Sequence, residues 1–389
     1  MEKISIDTIM FIIYIIIYCT VVSLYNFGNP ISNYRYYALF GLCILSIIVF
    51  IISKKQNEKK MIAKENLLSI VIAIVFLMIS IYKSLSVNMI FSIRTIVQIC
   101  LFLLPTMYSF YVINFVKKKN IIIMLKALLM ILIVTYFFDM QEPLHHISQF
   151  FSLNNWLSID YIHSSSFTES HNWSETFLQL FLFFFFVYNK NEKNISIKIC
   201  YILSFVFTLL SFKRLGVIFA IIILLFGKRI IKKNQFKKSH HIFITFLFVT
   251  LTIAYTALMK GLILDYNTVF DLTSGRNWIL KMWEMKGYFS YGYGTSLLVI
   301  GKYLELDLVQ IYMEIGIISL AIFCYGYFKM CKKNIYSNII MIYVFFNMLT
   351  ASSLPWQISW VVMMINITFI TYYDVLERGN ESEYEKRFD

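Results

Sequence analysis

The polar residues that could carry chemistry are few, and most fall between positions 210 and 320. Lys213 and Arg214 are the only charges in the apolar stretch Ile199 to Phe226. The arm after them, Leu215 to Phe226, gives about 18 Å of helix, too short to cross a membrane unless Gly227 to Ile231 is drawn in. Cations held below the headgroups are costly and mark a functional site by default; the alternative is that both snorkel to lipid phosphates. A second group is Thr273-Ser274-Gly275-Arg276-Asn277-Trp278, followed by Tyr291-Gly292-Tyr293-Gly294. An arginine in the first turn of a helix, beside unpaired backbone N–H groups, makes an anion site, and equally a surface cation at a lipid interface. The glycines let backbone pass close to a ligand, or simply turn. The third group is Glu305, Asp307, Gln310 and Glu314. The last three share one helix face, with Glu314 about 10 Å along the axis from Asp307. Such a stripe avoids lipid. It either satisfies neighbouring helices or supplies a carboxylate base. Glu314 reads as structural, whereas Asp307 and Glu305 read either way.

These residues are set in sequence that cannot be a soluble domain. Of 389 residues, 59% are hydrophobic and 15% charged, against about 25% charged in ordinary soluble domains. The apolar residues come in runs of membrane-crossing length. Twelve spans are expected, at about 8–25, 36–53, 67–83, 95–116, 121–138, 173–188, 197–212, 215–227, 242–259, 306–328, 335–352 and 357–373, in one polytopic all-α domain covering 1–389. The first reads as an anchor and not a cleaved signal, because no small-residue cleavage site follows it.

The net charge of +13 would suggest nucleic acid in a soluble protein, but its placement points elsewhere. With the N-terminus inside, the cytoplasmic segments collect 24 of the 35 Lys and Arg residues, the outer segments ten, and Lys126 lies within a span. This asymmetry puts both termini in the cytoplasm. Lys126 is close enough to its helix end to snorkel.

Two outer segments are long, about 139–172 and 260–305, and could cap the membrane surface. The second contains an expected interfacial helix, with Thr273 and Ser274 capping its start, Gly287 ending it, and Trp278, Ile279, Met282 and Trp283 on its apolar face. All six tryptophans fall on the outer side, a one-sidedness that favours platforms for sugar or lipid over an ordinary aromatic belt. The tail, 374–389, is charged and expected to fray.

Other chemistries find little support. The six cysteines avoid the outer loops and imply no disulfide framework. His145-His146 and His240-His241 are adjacent pairs that diverge on a helix, and His163 with His171 lacks a supporting ligand cluster, so no metal site is expected. No phosphate-binding glycine loop is present.

At the three groups above, the chain resembles the O-antigen and capsular polysaccharide polymerase and O-antigen ligase superfamily, the Wzy-type polymerases being nearest. The resemblance covers about Leu210 to Leu320: Ser211-Phe212-Lys213-Arg214 after a span, Ser274-Gly275-Arg276 with Trp278, the Gly292-Tyr293-Gly294 turn, and Gln310 to Gly316 with its Glu-x-Gly ending. It implies a metal-independent membrane glycosyltransferase of the GT-C type, needing no cofactor and seated in the bacterial inner membrane. Its substrates would be undecaprenyl-pyrophosphate-linked oligosaccharides drawn from the membrane lipid, a chain-length regulator protein would be a further partner, and nucleic acid would play no part. On the matching positions Arg214 and Arg276 would grip the pyrophosphate and Arg94 would assist, with Lys213, Trp278 and Tyr293 also holding substrate. Two arginine forks are a chemically sensible replacement for a metal at a departing pyrophosphate. The superfamily's ligases commonly carry a His where this chain has Glu305. The departure favours a polymerase, in which Glu305 or Asp307 would take the proton of the attacking sugar hydroxyl. The rivals are a ligase of the same superfamily and a flippase or other transporter. A transporter of this size is expected to show repeat symmetry and midplane polar sites on broken helices.

Overall fold

A computed structural model describes residues 5–26, 34–52, 62–139, 173–190, 194–211, 213–232, 240–273, 275–301 and 304–377. Among them are fifteen α-helices and no strand. In chain order they are α1 (Ile6–Asn26), α2 (Tyr34–Ile52), α3 (Leu68–Ser86), α4 (Ile93–Phe115), α5 (Lys118–Asp139), α6 (Ser174–Lys190), α7 (Ile195–Leu210), α8 (Arg214–Lys232), α9 (His240–Met259), α10 (Tyr266–Leu272), α11 (Asn277–Met285), α12 (Ser296–Ile300), α13 (Asp307–Met330), α14 (Ile335–Thr350) and α15 (Gln357–Thr371). A short 3-10 turn, Lys64–Leu67, leads into α3.

A helix lies over each of the twelve segments expected to span. Seven are long and apolar enough to cross a membrane: Ile6–Leu24, Tyr34–Ile52, Lys64–Ser86, Ile93–Phe115, Lys118–Asp139, His240–Met259 and Asp307–Met330. Three shorter apolar helices are α7, α14 and α15. The helix that opens at Arg214 continues through Gly227 to Ile231 and runs for 19 residues, though it is not among the seven long and apolar enough to cross a membrane.

The bundle is organised around α15. Every residue of this helix is buried, because α4, α6 and α14 pack around it. Outside this centre, α1 lies against α2 and α5, α3 and α9 against α13, and α6 against α7 and α8. The peripheral helices are apolar all round, with Ile47, Ile51 and Ile52 on α2 and Phe243 and Phe246 on α9 exposed. Helices that turn such residues outward are read as facing hydrocarbon.

Polar side chains tie each end. At one, Lys118 pairs with Glu377 at 3.5 Å, Lys190 with Asp374 at 3.0 Å, and Glu65 with both Lys332 and Lys333 at 3.3 Å. The start of the tail, 374–377, meets α5 and α6 through these pairs; residues 378–389 lie outside the described residues. At the other end, Asp139 accepts hydrogen bonds from Ser23 on α1 at 2.6 Å and Trp173 at 2.9 Å. This second end also carries the 86–93, 211–213, 259–307 and 350–357 connections, and with them the candidate site. The first long outer segment, with its histidines and Trp156, lies outside the described residues from 140 to 172.

Candidate functional site

The Tyr291 to Ser296 segment is threaded into the bundle between α3, α4 and α13. Gly292 and Gly294 have φ values of 129° and 78°. A Cβ at Gly292 would lie 2.7 Å from Cβ of Ser80, and one at Gly294 2.3 Å from Cγ of Gln98. Only glycine admits both the backbone conformation and this approach. The loop's polar backbone groups then need partners away from water. The Tyr293 N–H donates to Ser80 Oγ at 3.0 Å, and the Tyr293 and Tyr291 carbonyls accept from Thr95 Oγ1 at 2.9 Å and Ser84 Oγ at 2.5 Å.

Glu314 fastens the loop from the other side. Its carboxylate is fully buried and accepts from the Gly294 N–H at 2.6 Å, the Ser296 N–H at 2.9 Å and Gln310 Nε2 at 3.0 Å. The Gln310–Glu314 pairing is the one-face arrangement that their spacing implies, and the structural reading of Glu314 follows from these three donors. Immediately after it, α13 is broken at Gly316, where φ is 85° and ψ 176°. Ser290 Oγ donates to the Glu314 carbonyl at 2.6 Å, capping backbone beside the break. Tyr288, outside the helices, shares a hydrogen bond with Thr295. Burial first, and the Glu314 charge second, push its phenol up, so it stays protonated.

Lys213 is brought against Glu175 and Tyr343. Lys213 Nζ lies 2.7 Å from Glu175 Oε1 on α6, and the same oxygen accepts from the Tyr343 hydroxyl of α14 at 2.6 Å. Gly216, one turn into α8, lets Tyr343 approach: its Cβ would sit 3.3 Å from the Tyr343 hydroxyl. Asp307 is within electrostatic reach of Lys213, and both Asp307 and Glu314 of Tyr293. Asp307 itself is buried at the start of α13, where Oδ2 accepts from the Ser353 and Leu354 N–H groups at 2.6 and 3.0 Å and Oδ1 from Ser352 Oγ at 3.3 Å. It ties α13 to the α14–α15 connection. The Tyr293 ring is 2% exposed and packs 5.1 Å from Phe76, so it serves the core and not an open platform.

The other predicted residues lie on different elements. Arg214 opens α8 and is exposed; Arg94 is half-buried in the first turn of α4, next to Thr95. Glu305 is exposed ahead of α13. Arg276 precedes α11, within electrostatic reach of Tyr255 on α9, and its Nε is buried without a hydrogen-bond partner. Its helix begins differently from the expectation: Thr273 Oγ1 turns back to the Val269 carbonyl at 2.7 Å, and the N-cap position is Arg276, with no side-chain cap. Ser274 lies outside the described residues. The end of the helix is as expected, Gly287 following it with φ 58°. Ile279 and Trp283 face inward, Met282 is half-buried and Trp278 is 44% exposed, so Trp278 presents an open ring. No group of three or more His, Cys, Asp or Glu residues that could hold a metal occurs among the described residues.

Sequence reasoning missed Glu175, Tyr343 and the small polar set Ser80, Ser84, Thr95 and Gln98. Two of the last four carried a faint signal: on α3, Ser80 and Ser84 recur at a spacing of four in largely apolar sequence, which marks a face that meets polar groups. No protein-family model matches the chain, and no curated protein or solved structure matches it either.

Proposed function

We propose that the chain is a membrane glycosyltransferase that polymerises lipid-linked repeat units. It would transfer a growing glycan from undecaprenyl pyrophosphate to the repeat unit on a second carrier lipid, at the outer face of a bacterial inner membrane. In this reading twelve helices cross the membrane, both termini are cytoplasmic, and the end bearing the 259–307 segment faces outward. The observation that carries it is the convergence of Lys213 and Tyr343 on Glu175 at that end, beside the exposed Arg214 and with the buried Asp307 within electrostatic reach of Lys213. Cations next to carboxylates at the bilayer surface suit a reaction in which a pyrophosphate departs as a hydroxyl loses its proton. Arg276 and Trp278, on the short helices at the same end, fit the binding of an anion and of a sugar face.

One observation favours a transporter: α13 is broken at Gly316 beside the buried carboxylate of Glu314, and broken helices with polar residues line many transport sites. The glycans of a deletion strain separate the readings. For a polymerase, single repeat units still reach their acceptor and the long-chain ladder disappears. Absence of any repeat at the outer face indicates a flippase, and long chains accumulating on the carrier lipid indicate a ligase.

A further inference from the structure

Among the described residues, four carboxylates at the loop-bearing end are wholly or partly buried, and they differ in how their oxygens are used. Both oxygens of Asp307 accept hydrogen bonds, from Ser352 on one and from the Ser353 and Leu354 amides on the other. Both oxygens of Glu314 are taken, by Ser296 on one and by Gly294 and Gln310 on the other. Both oxygens of Asp139 are taken, by Ser23 and Trp173. Glu175 is different. Lys213 and Tyr343 converge on its Oε1, and Oε2 makes no hydrogen bond among the described residues. The side chain is 14% exposed, so it is neither sealed in the core nor loose in water. A base must have a lone pair it can offer to a substrate proton, on a carboxylate that is otherwise held still. Glu314 would have to surrender a backbone N–H inside the protein to do so, leaving an unsatisfied buried donor, and Asp307, 3% exposed, would have to give up the Ser352 hydroxyl. Glu305 has nothing comparable to fix its direction, being exposed on a loop.

Resting on the glycosyltransferase reading, we propose that Glu175 is the general base, with Oε2 as the proton acceptor and Oε1 anchored by Lys213 and Tyr343. The acceptor sugar hydroxyl gives its proton to Oε2 as its oxygen bonds to the anomeric carbon of the donor glycan. The bond from that carbon to the pyrophosphate oxygen breaks, and the electron pair leaves on the pyrophosphate. Lys213 holds the carboxylate's other oxygen throughout. Asp307 and Glu314 are then structural, and the role expected of Asp307 or Glu305 falls to a residue on α6.

The test uses the full chain, purified and reconstituted in vesicles, with the lipid-linked repeat units extracted from a deletion strain as both donor and acceptor. Elongated lipid-linked glycan and released undecaprenyl pyrophosphate are measured over a pH series. Glu175→Gln is expected to lower elongation by roughly 100- to 10,000-fold. Its residual rate should lose the acid-side fall shown by the wild type. The titratable groups in contact with Glu175 among the described residues are Lys213 and Tyr343, present in wild type and variant alike. Glu175→Asp, which keeps the charge beside Lys213 but withdraws the oxygen, should fall between the two and retain the acid-side fall. If Glu175→Gln elongates within about threefold of a wild type that is active, Glu175 is not the base. If both variants lose activity together with their folded fraction, or Glu175→Gln slows but keeps the wild-type pH profile, the residue only braces Lys213 and the proposal is wrong. Should the wild type itself fail to elongate lipid-linked repeats while binding them, the glycosyltransferase reading has failed, and this assignment with it.

Discussion

Arg276 and Lys281 are five positions apart, both cationic and at the same end of the molecule, yet their surroundings differ. Lys281 is exposed, with its ammonium 4.3 Å from the centre of the Tyr266 ring. Arg276 is half-buried, and its Nε has no hydrogen-bond partner among the described residues. A guanidinium offers two parallel donors to phosphate oxygens, whereas an ammonium is a point charge. Arg276→Lys and Arg214→Lys are therefore expected to lower chain elongation by roughly 30- to 1,000-fold, equivalent to about 2 to 4 kcal/mol of transition-state stabilisation. Lys281→Ala and Lys302→Ala should change it little. The length and amount of the glycan ladder in complemented cells reads the outcome, with protein levels checked in parallel. A normal ladder in both Arg214→Ala and Arg276→Ala would reduce these arginines to interfacial anchors. At this scale the sequence was readable where spacing carried the information: Asp307, Gln310 and Glu314 do share a buried face. Glu175 was not, because an acid in the first turn of a helix reads as a favourable partner for the helix dipole. Its real partners, Lys213 and Tyr343, are 38 and 168 positions away.

Among the elements, the loop from Tyr288 to Ser296 and the broken helix α13 depend on one another. Glu314 bonds the loop through two amides just ahead of the break at Gly316, and Ser290 of the loop bonds the Glu314 carbonyl. The glycines within and beside this loop are not equivalent. At Gly294 an added Cβ meets both an unfavourable positive φ and an overlap with Gln98, whereas at Gly287 it meets a positive φ alone and no atom within 4 Å. Gly294→Ala is expected to destabilise by about 2 to 5 kcal/mol, combining backbone strain with overpacking, against about 1 to 2 kcal/mol for Gly287→Ala. Thermal unfolding of the two variants in the same detergent provides the comparison. Equal losses would mean that the loop does not seat against α4 as described. The turn itself was legible in Tyr291-Gly292-Tyr293-Gly294, but its burial was not. Nothing in a run of apolar and aromatic residues tells whether a turn lies over a membrane surface or between helices; the small polar residues on α3 and α4 decide that. The break at Gly316 was hidden for a similar reason, since a lone glycine in a helical pattern is usually tolerated without one.

For the molecule as a whole, the helical architecture was the most legible feature, because a run of apolar residues long enough to cross hydrocarbon has few other ways to satisfy its backbone. Orientation is a separate matter, set by charges in the connections. The cytoplasmic side of the proposed topology holds 24 of the 35 Lys and Arg residues and the outer side ten. The ion pairs follow the same division: Lys118, Lys190, Lys332 and Lys333 are bound at the end that holds the C-terminal residues, to Glu377, Asp374 and Glu65. The opposite end keeps Lys213 and Glu175, the cap helices and the threaded loop. Since loop cations fix insertion by resisting translocation, a reporter fused at Asn234 is expected to behave as cytoplasmic and one at Ser165 as external. Phosphatase and fluorescent-protein fusions at the two positions give opposite signals in the two compartments. If the signals are reversed, the carboxylate and cation cluster faces the cytoplasm. A lipid-linked glycan displayed on the outer leaflet then could not reach Glu175, and the glycosyltransferase reading would fail on geometry alone, whatever the chemistry of its residues.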